Sequence, residues 1–317
     1  MIAFGPVPSR RLGRSLGINN IPPKICTYSC VYCQLGRTIK MQVDRQAFYE
    51  PEQVVDTVRE KVENARASGE SIDYLTFVPD GEPTLDVNLG REIELLRPLG
   101  IPIAVISNAS LVGREDVRAE LAQADWVSLK TDAVSEKTWR RTNRPHGKLQ
   151  LASIHDGMLE FAQSYEGQLM TETMLVRDTN DSEEALRAVA DFLARLEPDR
   201  AYLAIPTRPP AEPWAQPPSE AVINRAYQVL SEKVDQVEYL IGYEGNAFAF
   251  TGDVEDDLLS ITAVHPMRED AIDDFLDRAG ADGSVVQQLV DGGQLIETEY
   301  GERTFYMRKL HLEESEG

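Results

Sequence analysis

Residues 26–33 read Cys26-Thr27-Tyr28-Ser29-Cys30-Val31-Tyr32-Cys33 and contain all three cysteines of the 317-residue chain. An odd number of cysteines, clustered this closely, argues against a disulfide framework and for a metal in a reduced compartment. The spacing C-x3-C-x2-C puts three thiolates on one tight loop, enough to hold three irons of a [4Fe–4S] cluster. With no fourth cysteine, one iron is left open to an exogenous ligand. An open metal position is a place for chemistry, as in catalytic zinc sites. The alternative is a zinc knuckle, which needs a fourth Cys or His close by; the nearest histidine along the chain is His146.

Outward from this loop, apolar strand-like runs at 15–18, 74–78, 101–106, 126–129, 169–176, 201–205 and 237–241 alternate with helical patterns at 51–67, 87–96, 114–122, 155–164, 182–196 and 219–233. Val54, Val55, Val58 and Val62 make one apolar helical stripe. Ser182 before Glu183 and Glu184 is a helix start with its cap and acidic first turn. Repeated strand–helix units imply parallel strands. The α/β class follows, with a partial (β/α)6 TIM-like barrel over residues 1–252 and its chemistry at the carboxyl ends of the strands. Residues 206–218 hold six prolines in 13 positions directly after a strand. That segment either crosses the barrel mouth or is a stiff surface connector.

After Gly252 the pattern changes. An acidic stretch at 253–257 precedes runs at 261–264, 268–276 and 284–291, then a hairpin at 294–307 around Gly301, two helices and a β-ribbon in all. This outline predicts a small winged-helix-like domain at 253–312 and a flexible tail at 313–317. Its acidity favours packing on the barrel or binding a protein over binding nucleic acid.

The chain carries 53 Asp and Glu against 32 Lys and Arg, a net charge of −21. That excludes a broad basic surface and a large nucleic-acid footprint. No apolar run is long enough to span a membrane and the start lacks a signal-peptide pattern, so the expectation is a cytoplasmic protein with no membrane partner. His146, His155, His265 and His311 show no paired spacing.

The cysteine motif, with aromatic Tyr32 before the last cysteine, resembles the signature of radical S-adenosylmethionine (SAM) enzymes. The resemblance implies two cofactors, a [4Fe–4S] cluster on Cys26, Cys30 and Cys33 and SAM chelating the open iron. It implies an external electron donor of flavodoxin or ferredoxin type. It also implies cleavage of SAM to methionine and a 5′-deoxyadenosyl radical that abstracts a substrate hydrogen. Asp80-Gly81-Glu82-Pro83 resembles the family's G-G-E-P loop, with Asp80 at the first glycine. On the same resemblance SAM also meets Tyr32, Ser107, Asn108, Lys130, Glu172 and Ile205, the last through its backbone. Glu172, an acid in an apolar strand, faces either inward into a polar site or out to solvent.

The run from Gly5 to Gly17 (G-P-V-P-S-R-R-L-G-R-S-L-G), with Cys33-Gln34-Leu35-Gly36-Arg37-Thr38, is similar to the radical SAM subfamily related to wyosine-base tRNA synthases. Those enzymes carry a second cluster on additional N-terminal cysteines and use it with pyruvate. Residues 1–25 contain no cysteine, so the fold and SAM cleavage are expected here and the pyruvate step is not. Arg10, Arg11, Arg14 and Arg37 form a cationic cluster suited to a carboxylate or phosphate, or to sealing the barrel with ion pairs. Arg10, Arg11 and Arg37 are the substrate candidates. The substrate, whether small molecule, peptide or RNA base, and any further catalytic residue are not legible. Competing readings are a winged-helix regulator that senses redox state through its cluster, and a zinc-stabilised structural protein.

Overall fold

The structure, a computed structural model, describes residues 1–242, 245–246, 248–250 and 252–309. It opens with an antiparallel hairpin, β1 (Ala3–Ser9) and β2 (Gly13–Ile18). β1 contains Pro6 and Pro8, which hide it from a strand pattern; at the sheet edge their missing N–H groups cost little. The Phe4 ring lies over Gly17, where any Cβ would collide with it. A parallel ladder of two rungs, β3 (Ile25–Cys26) with β4 (Lys40–Met41), closes the base of the cysteine loop.

The strand–helix alternation then proceeds largely as the pattern predicts. Helix α1 (Pro51–Ala67) leads to β5 (Tyr74–Phe77), α2 (Leu89–Leu96) to β6 (Ile103–Ser107), and α3 (Glu115–Leu121) to β7 (Trp126–Lys130). Helices α4 (Glu136–Thr142) and α5 (Leu151–Ser164) precede β8 (Gln168–Met174). Helix α6 (Glu183–Leu196) leads to β9 (Arg200–Ala204), and α7 (Glu220–Ser231) to β10 (Val237–Leu240). The sheet order is β1-β2-β5-β6-β7-β8-β9-β10, parallel everywhere except at β1. Six helical crossovers therefore join the parallel strands into an open, partial barrel.

Local chemistry accounts for these elements. The valine stripe of α1 is buried, and Ser182 and Ser219 cap α6 and α7 by accepting from Ala185 N and Val222 N. Alternate strand residues serve opposite faces. Val105, Val127 and Leu169 join the large core under the helices, while Ala104, Trp126 and Met170 fill the concave side with Leu12, Tyr202 and Leu240. Helix α4 is a barrel helix that the pattern misses: its sequence, EKTWRRT, has one large apolar residue, Trp139, and the Ser135 cap starts it.

The C-terminal segment forms α8 (Val254–Val264), β11 (Met267–Arg268), α9 (Glu269–Ala279), α10 (Ser284–Asp291), β12 (Leu295–Tyr300) and β13 (Arg303–Arg308), with sheet order β11-β13-β12. The acidic stretch at 253–257 is the cap and first turn of α8: the Asp253 side chain accepts from Asp256 N at 2.9 Å. Leu258, Ile261, Phe275 and Leu289 share one core with Phe4 and Val7 of β1. The expected tail at 313–317, and His311, lie outside the described residues.

One acid breaks the amphipathic pattern of α2. Glu92 is fully buried on its core face, and burial, aided by nearby Asp86, pushes its carboxyl up to about 9 from an ordinary 4.5. A carboxyl raised by folding favours the native state when protonated. Its contribution is complete below 4.5 and is lost as pH rises towards 9. Glu92→Gln is therefore expected to match the wild type near pH 5 and to exceed it in stability near pH 9, as read from urea midpoints. Parallel pH profiles would remove Glu92 from this account.

Candidate active site at the cysteine loop

The loops after the parallel strands converge on residues 26–36. Cys33 N bonds to Cys30 O at 3.2 Å and Gly36 N to Cys33 O at 3.0 Å, two tight turns that keep the half-buried cysteines on one short segment. Behind Cys26 stands the loop after β5. A Cβ at Gly81 would collide with the Ile25 carbonyl oxygen, so only glycine lets this loop approach the first cysteine's strand.

Glu82 is completely buried and organises this wall. Its carboxylate accepts from Thr84 N at 3.1 Å, Thr84 Oγ1 at 2.6 Å, Ser107 Oγ at 2.7 Å and Asn108 N at 2.7 Å. Burial pushes the carboxyl up even so. Asn108 turns its amide to Thr27 Oγ1 at 2.8 Å and Cys26 Sγ at 3.5 Å. On the other side Asn143, just past α4, donates to Asp132 Oδ2 at 2.7 Å and to Cys30 Sγ at 3.5 Å. The Tyr32 hydroxyl donates to the same Asp132 carboxylate.

These surroundings bear on what the thiols can hold. Burial, reinforced by Glu82, raises the Cys26 thiol, and burial with Asp132 pushes Cys30 up to about 12. A bound cationic metal centre reverses that preference and deprotonates its thiols, and the Asn108 and Asn143 amides are suited to donating to ligating sulfur. Among the described residues no three His, Cys, Asp or Glu side chains converge to hold a metal ion. A zinc knuckle would need a fourth Cys or His ligand beside the three cysteines. The chain does bring His146 back beside the loop: its backbone N bonds to Thr27 O at 2.9 Å and its Nδ1 accepts from Lys148 N.

A cavity of about 290 Å³ opens next to Cys33. Tyr32, Lys130, Glu172 and Ile205 line it, and so do Arg10 and Arg11. Glu172 faces inward, opposite Lys130 in the β7–β8 register, and forms ion pairs with both Lys130 and Arg11. Burial would raise its carboxyl, but Lys130 and Arg11 overcome this and hold it at about 2. Burial lowers and Glu172 raises the Lys130 ammonium, with a net upward shift, so Lys130 stays a cation rather than a nucleophilic amine. Its Nζ lies 5.1 Å from the Tyr32 ring centre.

Of the residues expected from sequence, Asp80, Gly81, Glu82, Pro83, Ser107 and Asn108 stand outside the cavity lining, as the wall behind Cys26. Arg37 also lies apart from the cavity, with its side chain 70% exposed and its Nε bonded to Glu212 Oε1 at 2.9 Å. The proline-rich segment crosses the mouth: Glu212 N bonds to Val31 O at 2.9 Å, Ala215 packs with Val31 and Tyr32, and Pro206 and Arg208 line the cavity. The C-terminal unit reaches the same place. His265 lines the cavity 2.8 Å from an Arg208 nitrogen, and the Tyr300 hydroxyl donates to Pro206 O at 3.1 Å. Sequence reasoning gave no role to Asn143, Asp132, Arg208 or His265, because each is brought in by tertiary contact from a distant segment.

A family model described as "Radical SAM superfamily" matches residues 20–198. The chain belongs to the radical SAM superfamily. It is a radical SAM enzyme, and members of this superfamily use a [4Fe–4S] cluster and SAM. The UPF0026 protein of Methanocaldococcus jannaschii is 47% identical over 311 residues, covering 98% of this chain and 96% of its own length. Among solved structures, TYW1 with a lysine–pyruvate adduct bound gives a TM-score of 0.55 at 18% identity, over 70% of this chain and 74% of that one. SuiB from Streptococcus suis bound to S-adenosylmethionine gives 0.52 at 13% identity, over 70% of this chain and 49% of that one. These two show the fold, the partial barrel expected from sequence. Radical SAM membership lends the redox-sensing regulator no support. No helix among the described residues is long and apolar enough to cross a membrane.

The close approach at Gly81 yields a direct test. Gly81→Ala forces a methyl group against the Ile25 carbonyl, an overpacking that costs about 1–3 kcal/mol. The variant is expected to bind less iron and acid-labile sulfide per chain after reconstitution. Gly147→Ala, where a Cβ meets nothing within 4 Å, is expected to load normally.

Proposed function

We propose that Cys26, Cys30 and Cys33 carry a [4Fe–4S] cluster and that the cavity beside Cys33 is the chamber where SAM meets an unidentified substrate. When bound, the two cofactors supply a 5′-deoxyadenosyl radical that abstracts a hydrogen atom from that substrate. The observation that carries this reading is the position of Cys33 and Tyr32 on the wall of a cavity that also holds Lys130, Glu172 and Ile205.

In this reading the chain's own residues bind and orient. Asn108 and Asn143 direct amide hydrogens at two of the sulfurs. Glu82 positions Ser107 and Asn108 through hydrogen bonds, and Asp80 to Pro83, on the wall behind Cys26 at the side of the cavity, would hold the SAM amino group. Lys130, kept cationic, offers charge to the SAM carboxylate. Ile205 offers backbone to the adenine. Arg10 and Arg11 offer guanidinium forks to a carboxylate or phosphate of the substrate, whereas the exposed Arg37, paired with Glu212, braces the mouth. The electron comes from an external flavodoxin- or ferredoxin-like donor, in the cytoplasm.

We read residues 1–252 as the barrel and 253–312 as a winged-helix-like unit. The element order α8, β11, α9, α10, β12, β13 supports that reading, and the shared core with β1 supports packing on the barrel over nucleic-acid binding.

The test is anaerobic reconstitution with iron and sulfide, reduction with dithionite and addition of SAM, with products separated by chromatography. The wild type is expected to release 5′-deoxyadenosine and methionine. Alanine at Cys26, Cys30 or Cys33 is expected to lower the rate at least about a hundredfold, roughly 2.7 kcal/mol of barrier. A wild type with an intact cluster and no 5′-deoxyadenosine would overturn the reading.

A further inference from the structure

Lys24 stands two residues before the first cysteine in a left-handed backbone conformation, φ +64°. That conformation is unfavourable for a non-glycine residue and is held by its neighbours. Lys24 N donates to Asp80 O at 2.7 Å, and Lys24 O accepts from Ile39 N and Lys40 N, both at 3.1 Å. The residue is only 7% exposed. Its side chain runs under the cysteine loop, where a Cβ on Gly36 would lie 3.6 Å from Nζ.

The buried Nζ has no hydrogen-bond acceptor. Burial disfavours its charge, and Cys33, Asp80 and Cys26 are the groups near enough to favour it. Asp80 is itself buried, with Oδ1 unpartnered, and it occupies the position of a glycine in the family's G-G-E-P loop. A buried ammonium donor without an acceptor is costly. Ligating thiolates and cluster sulfides are the acceptors that complete it.

We propose that Lys24 is a positioning residue for the cluster: its ammonium donates to the sulfur shell held by Cys26 and Cys33 and raises the cluster's reduction potential, with Asp80 as the counter-charge that limits the effect. A fixed positive charge and donors at sulfur favour the more negative, reduced state. The proposal rests on the reading of the loop as a cluster site.

The test is an anaerobic redox titration of the reconstituted protein followed by electron paramagnetic resonance. Lys24→Gln is expected to lower the reduction equilibrium at least tenfold, about 59 mV for a one-electron couple. Lys24→Arg is expected to recover most of that shift, and Asp80→Asn to move the potential upward. A fully loaded Lys24→Gln protein that cleaves SAM yet titrates at the wild-type potential would overturn the proposal and leave the cluster reading standing. If Lys24→Gln does not load, wild type labelled with nitrogen-15 at lysine Nζ decides by pulsed resonance of the reduced cluster. A nitrogen coupling that Lys24→Arg lacks supports the proposal, and no coupling overturns it. A wild type that assembles no cluster overturns the loop reading and this proposal together.

Discussion

The buried Glu82 carboxylate is the contact on which the site depends. It draws together the turn after β5 and the end of β6 through Thr84, Ser107 and Asn108. Through Asn108 the arrangement reaches Cys26. A buried carboxylate is tolerable only when its acceptor sites are filled, and here four donors fill them. The same wall needs Gly81, because a backbone-to-backbone approach leaves no room for a side chain. One glycine and one acid thus locate the first cysteine relative to the sheet.

Charge is distributed unevenly around this wall. The chain as a whole is strongly acidic, yet Arg10, Arg11, Lys130 and Arg208 all line the cavity. Glu172 holds Arg11 and Lys130 in place rather than acting as a proton donor, since its carboxyl lies at about 2. The proline-rich segment and the C-terminal unit meet at Pro206, Arg208 and His265, so a unit distant in sequence contributes to the cavity. Its core is continuous with β1, which gives an edge strand with two prolines a buried apolar partner.

Much of this is legible in the amino-acid sequence. The cysteine spacing, the G-E-P turn and the alternation of strand and helix patterns each reflect strong local constraints. The valine stripe of α1 and the Ser182 cap are rules of single helices. What the sequence hid follows from longer-range physics. β1 fails a strand pattern because edge position, not composition, makes its prolines harmless. Helix α4 presents almost no apolar face, yet it delivers Asn143 to Cys30. His146 is remote along the chain and adjacent in space. The inward direction of Glu172 emerged only once its register with Lys130 was known.

The central claim is that three cysteine thiolates leave one iron corner for SAM. Electron paramagnetic resonance of the reduced, reconstituted protein, recorded with and without SAM, tests it most directly. The account predicts a spectrum whose g-values change when SAM is added. A cluster spectrum indifferent to saturating SAM would contradict it.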